Sequence, residues 1–194
     1  IASLLICFLH VSSLGQTLSP TEWPSGLLDD LISLSSYSGP HPPQRMSVSP
    51  YASSGGVVSG TSNVLAEYSA EFAMLRGGNA MDACLVAAIT QTVLAANSYV
   101  NLAGIADIVY YDSSTNSSHA FYGGWGRPSE AARAAMDSGE IGSSVMIGGF
   151  LAAVEDAHST FGSLPFSRLF DSAYYFASSG APTQNLRYLN MSSL

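Results

Sequence analysis

Apolar and polar positions along this chain change period several times, and each change marks a predicted element. Leu65, Tyr68, Phe72 and Leu75 recur at helical spacing and predict a helix from about Asn63 to Arg76 with these residues as its core stripe. Glu67 and Glu71 stand one turn apart on another face, which reads as a solvated face. Arg76 near the end suits the negative pole of the helix, and Gly77 or Gly78 can supply the left-handed residue that closes it. Asn79 restarts a helix at once, because its side chain can accept a hydrogen bond from an orphan N–H of the new first turn. Asp82, three residues on, occupies the capping-box position. From Ala80 to Ala95 the chain is apolar on nearly every side, which predicts a buried helix needing cover from layers beyond this chain. Cys84 falls in that run and reads as a small core residue.

The period then shortens. "GIADIVYYD" reads as a strand, "SSTN" as a turn and "SSHAFYGG" as the antiparallel partner. Three more helices follow at "RPSEAARAAM", opened by Pro128 and Ser129, at "GGFLAAVEDAHSTFG" and at "LPFSRLFDSAYYFASSG", the last two ended by Gly162 and Gly180. Upstream, Val57 and Val58 between glycines predict a short buried strand. Residues 17–56 are rich in turn formers and read as an exposed leader with one short helix at "GLLDDLISL". Strand, two helices, hairpin and further helices imply a layered α/β (α+β) domain.

Composition narrows the partners. Acids outnumber bases 14 to 6 in 194 residues, and every base is Arg. Such a surface offers no cation cluster for a phosphate backbone, so nucleic acid is excluded as a partner. "IASLLICFLHVSSLGQ" resembles the apolar core and small-residue cleavage zone of a secretory signal, and it is too short for a stable membrane span. Residues 1–16 therefore read as part of a signal peptide, 17–54 as a low-complexity Ser/Pro-rich leader, and 55–194 as the domain proper, with a secreted or extracellular location. Loss of Cys7 with the signal leaves Cys84 alone, without a disulfide partner. The triplets beginning at Asn116 and Asn190 are glycosylation patterns that fit a secreted chain.

Motifs of self-contained catalysis are missing. There is no Gly-x-Ser-x-Gly elbow, no phosphate loop, no His-Glu-x-x-His helix and no G-x-G-x-x-G fingerprint. His41 lies among prolines, His119 on a strand and His158 near a helix end. None has a neighbour in sequence that would complete a metal site, so no metal, cofactor or catalytic residue is assigned.

The run "GGVVSGTSNVLAEYSAEFAMLRGGNAMDACLVAA" resembles the opening of the large subunit of gamma-glutamyltransferases, also called gamma-glutamyltranspeptidases or glutathione hydrolases. The likeness lies in Gly77, Gly78, Asn79, Ala80, Asp82 and Ala83. "YGGWGRP" and "FGSLPFSRLFDSAYYFASSGAP" then follow in the family's order, the latter through Phe161, Gly162, Leu164, Pro165 and Phe166. The resemblance implies an N-terminal nucleophile hydrolase, a four-layer αββα sandwich that is incomplete in this chain. It implies a gamma-glutamyl substrate such as glutathione, and a catalytic small subunit that begins with the nucleophilic Thr. No Thr here matches that nucleophile, so the chain alone is expected to be inactive. The family's Gly-rich turn before the hairpin is reduced here to Gly104 and Ile105. By the same resemblance, Arg127 is the candidate substrate-binding residue, a clamp for the substrate α-carboxylate, since a guanidinium can hold a carboxylate bidentately. Rival readings are a non-catalytic secreted relative, or an acylase or poly-glutamate transpeptidase acting on another amide.

Overall fold

In the computed structural model, which describes residues 17–35, 63–95, 101–124, 129–139 and 148–180, the periodic segments are helices and the alternating ones a hairpin. Asn63 caps helix α2 (Val64–Leu75), its side chain accepting from the Leu65 N–H at 2.9 Å. Helix α3 (Ala80–Leu94) follows after four residues. Strands β1 (Ala106–Asp112) and β2 (Ser117–Gly123) pair antiparallel, from Ala106 opposite Gly123 to Asp112 opposite Ser117. Helices α4 (Glu130–Asp137), α5 (Phe150–Phe161) and α6 (Asp171–Ser179) complete the order, preceded by a short α1 (Leu27–Ser35). The segment expected as one helix from Leu164 divides in two. Phe166–Phe170 winds as a tighter 3-10 turn, with the Arg168 N–H donating to the Pro165 carbonyl at 2.8 Å, before α6 begins. Gly180, at φ +85°, ends α6.

Two layers are visible. Helices α2 and α3 pack along each other, with Ala70, Ala83 and Ala87 allowing close approach. Helix α5 lies between α3 and the hairpin, whose inner positions Tyr110, His119 and Phe121 surround Phe161 with ring centroids 4.5, 4.7 and 6.1 Å away. The outer face of the hairpin is open: Val109 is 78% exposed and Tyr122 80%. The core runs through Leu65, Phe72, Leu85, Ile89, Val154, Leu169 and Phe176.

Several expectations need correction. The start of the leader is not exposed: Leu18, Trp23 and Leu31 are buried, and Trp23 packs edge-on against Tyr68 at 4.8 Å. Polar bonds fasten it, because Asp171 accepts from Thr17 Oγ1 at 2.8 Å and from the Leu18 N–H at 2.9 Å, while Ser172 Oγ donates to the Leu18 carbonyl. Leu75, the last residue of α2, is exposed rather than part of the core stripe. Glu67 and Glu71 are half-buried rather than solvated, and Glu71 adds to the burial that raises the Tyr68 phenol pKa. Helix α3 already has cover from α2, α5, α6 and the 3-10 turn; the open apolar surface is on the hairpin instead. Cys84 is at the surface, although the apolar mass around its thiol raises its pKa. The strand predicted at Val57 and Val58, and the domain boundary at 54, lie outside the described residues.

The break between α2 and α3 uses its two glycines differently. Gly77 has φ +92°, and its N–H donates to the Met74 carbonyl at 3.0 Å. The Gly78 N–H reaches back to the Ala73 carbonyl at 2.9 Å, which completes a Schellman closure. A Cβ on Gly78 would come within 2.8 Å of both that carbonyl oxygen and Leu164 Cδ1. The expected outcomes differ accordingly in the full-length protein. Gly77→Ala is strained by roughly 1–2 kcal/mol, and Gly77→Asn less, because Asn tolerates the left-handed region. Gly78→Ala costs about 1–3 kcal/mol through overpacking, and Gly78→Asn no less. Urea unfolding midpoints check this; an Asn rescue at 78 but not at 77 would reverse the assignment.

Candidate functional site

The corner that follows Gly78 gathers the most polar chemistry in the described structure. Asn79 Oδ1 accepts from the Asp82 N–H at 3.0 Å and Asp82 Oδ2 accepts from the Asn79 N–H at 2.9 Å, a complete capping box. Asp82 does more than cap. Its carboxylate has no exposed surface and reaches across to the turn after α5. There it accepts from Ser163 Oγ at 2.6 Å, from the Ser163 N–H at 3.1 Å and from the Leu164 N–H at 3.3 Å. Asn79 Nδ2 adds a bond of 2.6 Å to the Phe161 carbonyl. An ionised carboxylate is costly to bury unless donors surround it. Here backbone amides, a hydroxyl and the positive end of α3 do so.

The same turn is held from its other side. His158 Nε2 donates to the Leu164 carbonyl at 2.7 Å, and its ring lies 5.1 Å from that of Phe166. The histidine expected merely to suit a helix end thus closes the loop that Asp82 holds. Bonds from Asn79 on one side and from Ser163 and Leu164 on the other make this carboxylate the tie between two chain segments.

A second polar chain runs along the hairpin turn. Asp112 accepts from Thr115 Oγ1 at 2.8 Å, Thr115 Oγ1 lies 2.7 Å from Ser117 Oγ, and Ser117 Oγ lies 2.9 Å from His119 Nε2. Side-chain bonds from Ser114 and Thr115, then the Ser114 N–H, hold the Asp112 pKa below the ordinary carboxylate range. Ser117 and His119 sit at nucleophile-and-base distance. The pair lies on a strand beside an exposed turn, and the hydroxyl is shared with Thr115, so its role is to brace the turn.

Of the residues singled out from sequence, Asn116 stands exposed at that turn with φ +53°. Arg127 and Asn190 lie outside the described residues. Among the described residues no three His, Cys, Asp or Glu side chains gather as a metal site, and no helix is long and apolar enough to cross a membrane. Sequence reasoning missed Ser163 and Leu164 as partners of Asp82. The only local signal was an acid at the third position of a helix, which the capping box explains without them.

The corner and the turn it holds both fall inside one sequence match. The family model described as gamma-glutamyltranspeptidase matches residues 47–192. The chain belongs to the gamma-glutamyltranspeptidase family. A search of curated proteins finds no match. Among solved structures, the chain is similar to gamma-glutamyltranspeptidase from Pseudomonas nitroreducens complexed with L-DON, at 24% identity and a TM-score of 0.55 over 64% of this chain and 39% of that one. It is also similar to the transpeptidase enzyme CapD of Bacillus anthracis, at 22% identity and a TM-score of 0.51 over 63% of this chain and 40% of that one. Helicobacter pylori gamma-glutamyltranspeptidase gives 21%, 0.51, 63% and 37% for the same measures. At these identities the likeness shows the fold: this family member carries part of the N-terminal nucleophile hydrolase sandwich. It spans about two fifths of the length of the relatives it matches.

Removing the carboxylate at the corner leaves buried donors unpaired, each at about 1–3 kcal/mol. Asp82→Ala is therefore expected to destabilise the full-length protein by about 3 kcal/mol or more, and Ser163→Ala by about 1 kcal/mol. Denaturant unfolding checks both. A cost for Asp82→Ala within the roughly 0.5 kcal/mol of an ordinary surface change would show that the corner holds nothing.

Proposed function

We propose that this chain is the opening portion of the large subunit of a gamma-glutamyltransferase that transfers or hydrolyses the gamma-glutamyl group of glutathione. The observation that carries the reading is the family match over residues 47–192, which includes both segments joined through Asp82. In this reading the described layers are scaffold. The nucleophile is a Thr at the start of a small subunit, and its own α-amine serves as base. The Thr oxygen attacks the gamma-carbonyl carbon, the amide bond to the peptide amine breaks, and that amine leaves with the proton. Water or an acceptor amine then releases the acyl group. Arg127 holds the donor α-carboxylate through paired N–H···O bonds. The open outer face of the hairpin, with Val109 and Tyr122 uncovered, supports a further layer of the sandwich resting there. The run at residues 1–16 supports a secreted location for the enzyme.

A second reading keeps the fold and changes the amide, as in a transpeptidase acting on a poly-glutamate chain. It rests on the reduced Gly-rich turn at Gly104 and Ile105, where this chain departs from the gamma-glutamyltransferase pattern.

Assays of the complete protein with both subunits decide between the readings. Glutathione and a gamma-glutamyl anilide are expected to turn over, and Arg127→Ala is expected to raise KM. A lost charge-assisted pair of about 1.5–3 kcal/mol corresponds to a rise on the order of 10- to 100-fold. An unchanged KM removes Arg127 from the site. Turnover of poly-glutamate alone supports the second reading, and no turnover of any amide supports a non-catalytic relative.

A further inference from the structure

Glycines from three parts of the chain meet where the hairpin rests on the start of α5. Gly104 precedes β1, Gly123 and Gly124 lie at the end of β2, and Gly148 and Gly149 lead into α5. None of the five has a positive φ, and Gly149, at φ −100° and ψ 11°, has a backbone open to residues with side chains. Space is what excludes a side chain here. A Cβ on Gly149 would lie 2.6 Å from the Gly124 carbonyl oxygen and 2.8 Å from the Gly123 carbonyl carbon. A Cβ on Gly123 would lie 2.5 Å from the Gly149 carbonyl oxygen and 2.6 Å from Ala153 Cβ. One on Gly148 would collide with the carbonyls of Ala103 and Gly104. The Phe150 N–H donates to the Gly104 carbonyl at 3.1 Å, which ties the approach to β1 into the same junction. Glycine costs more chain entropy on folding than alanine does, so a cluster of this kind is kept for the close approach it allows.

The place of this junction in the chain gives it a use beyond packing. The chain leaves at Gly124 and comes back at Gly148, so one backbone contact closes the base of the excursion over residues 125–147. Arg127 belongs to that excursion, three residues beyond Gly124. We propose that Gly123 and Gly149 are positioning residues for donor binding, because their backbone contact sets the point from which the segment bearing Arg127 departs. This role rests on Arg127 as the clamp of the proposed enzyme. The atoms facing each glycine are mostly backbone and cannot rotate aside. Carbon contacts need about 3.5 Å, so a methyl group at 149 pushes the end of β2 away from α5 by on the order of 1 Å. A misplacement of that size costs a site up to about 100-fold.

The test uses the complete protein with both subunits and a gamma-glutamyl anilide as donor. Gly149→Ala is expected to raise KM on the order of 10-fold while kcat stays within about twofold. Ala153→Ser, a milder change at the buried α5 side of the same contact, is expected to raise KM less, and it carries both readouts if Gly149→Ala does not fold. In an Arg127→Ala background neither substitution adds to KM, because the clamp that it displaces is gone. An unmoved KM, a fall in kcat alone, or equal KM increments in both backgrounds makes the junction merely structural and overturns the positioning role. A spin-label pair at Arg127→Cys and the exposed Glu155→Cys, with other cysteines replaced by Ser, reads placement without turnover. Its distance distribution is expected to shift or broaden when Gly149→Ala is added, and an unchanged distribution overturns the role. This second readout stands even if no amide is turned over, so a failure of the gamma-glutamyl reading is told apart from a failure of the positioning.

Discussion

A single buried carboxylate ties the two ends of this structure's helical layer together. Asp82 sits at the start of α3, and the turn it grips is about eighty residues later in the chain. Everything between, including the hairpin and α5, is a long excursion that must return to that point. The geometry leaves little freedom. Gly78 must lack a side chain for Leu164 to approach, and Asn79 must cap the helix while its amide holds the Phe161 carbonyl. His158 then closes the turn from behind. A corner of this kind sets the angle between α2 and α3 and the seat of α5 upon α3. It thereby places the hairpin that rests on α5.

Local pattern was enough to read the elements. The stripe of Leu65, Tyr68 and Phe72, the alternation through Ile108 and Tyr110, and the Gly-Gly-Asn break all report short-range physics, and the structure follows them. What pattern could not report was pairing at a distance. The leader looked exposed because Ser and Pro dominate it, yet Leu18 and Trp23 reach α2 and α6, and Asp171 fixes their backbone. Cys84 looked buried because its helix is apolar all round, but one line of that helix faces solvent. The capping-box acid was legible as a cap and silent about Ser163, since one carboxylate can serve both roles. The site residue inferred from family likeness, Arg127, lies outside the described residues, so the corner and not the clamp is what the structure describes.

This division clarifies how the family fold distributes its labour. The described layers supply buried apolar surface, closed helix ends and one internal carboxylate, all of which hold shape. The polar groups of the Asp82 corner are bonded to each other, which suits a support. In the proposed enzyme the reacting groups arrive on other segments, and the accuracy of their placement depends on how firmly this layer holds its angles.

Amide hydrogen exchange at Ser163 and Leu164 in the full-length protein tests the central claim most directly. Ser163 is otherwise a surface loop residue, and an ordinary loop amide exchanges with almost no opening free energy. If Asp82 holds the turn, both amides are protected to nearly the level of the α3 interior, and Asp82→Ala removes that protection before it unfolds α3. Exchange of both amides at loop rates in the parent protein would contradict the account.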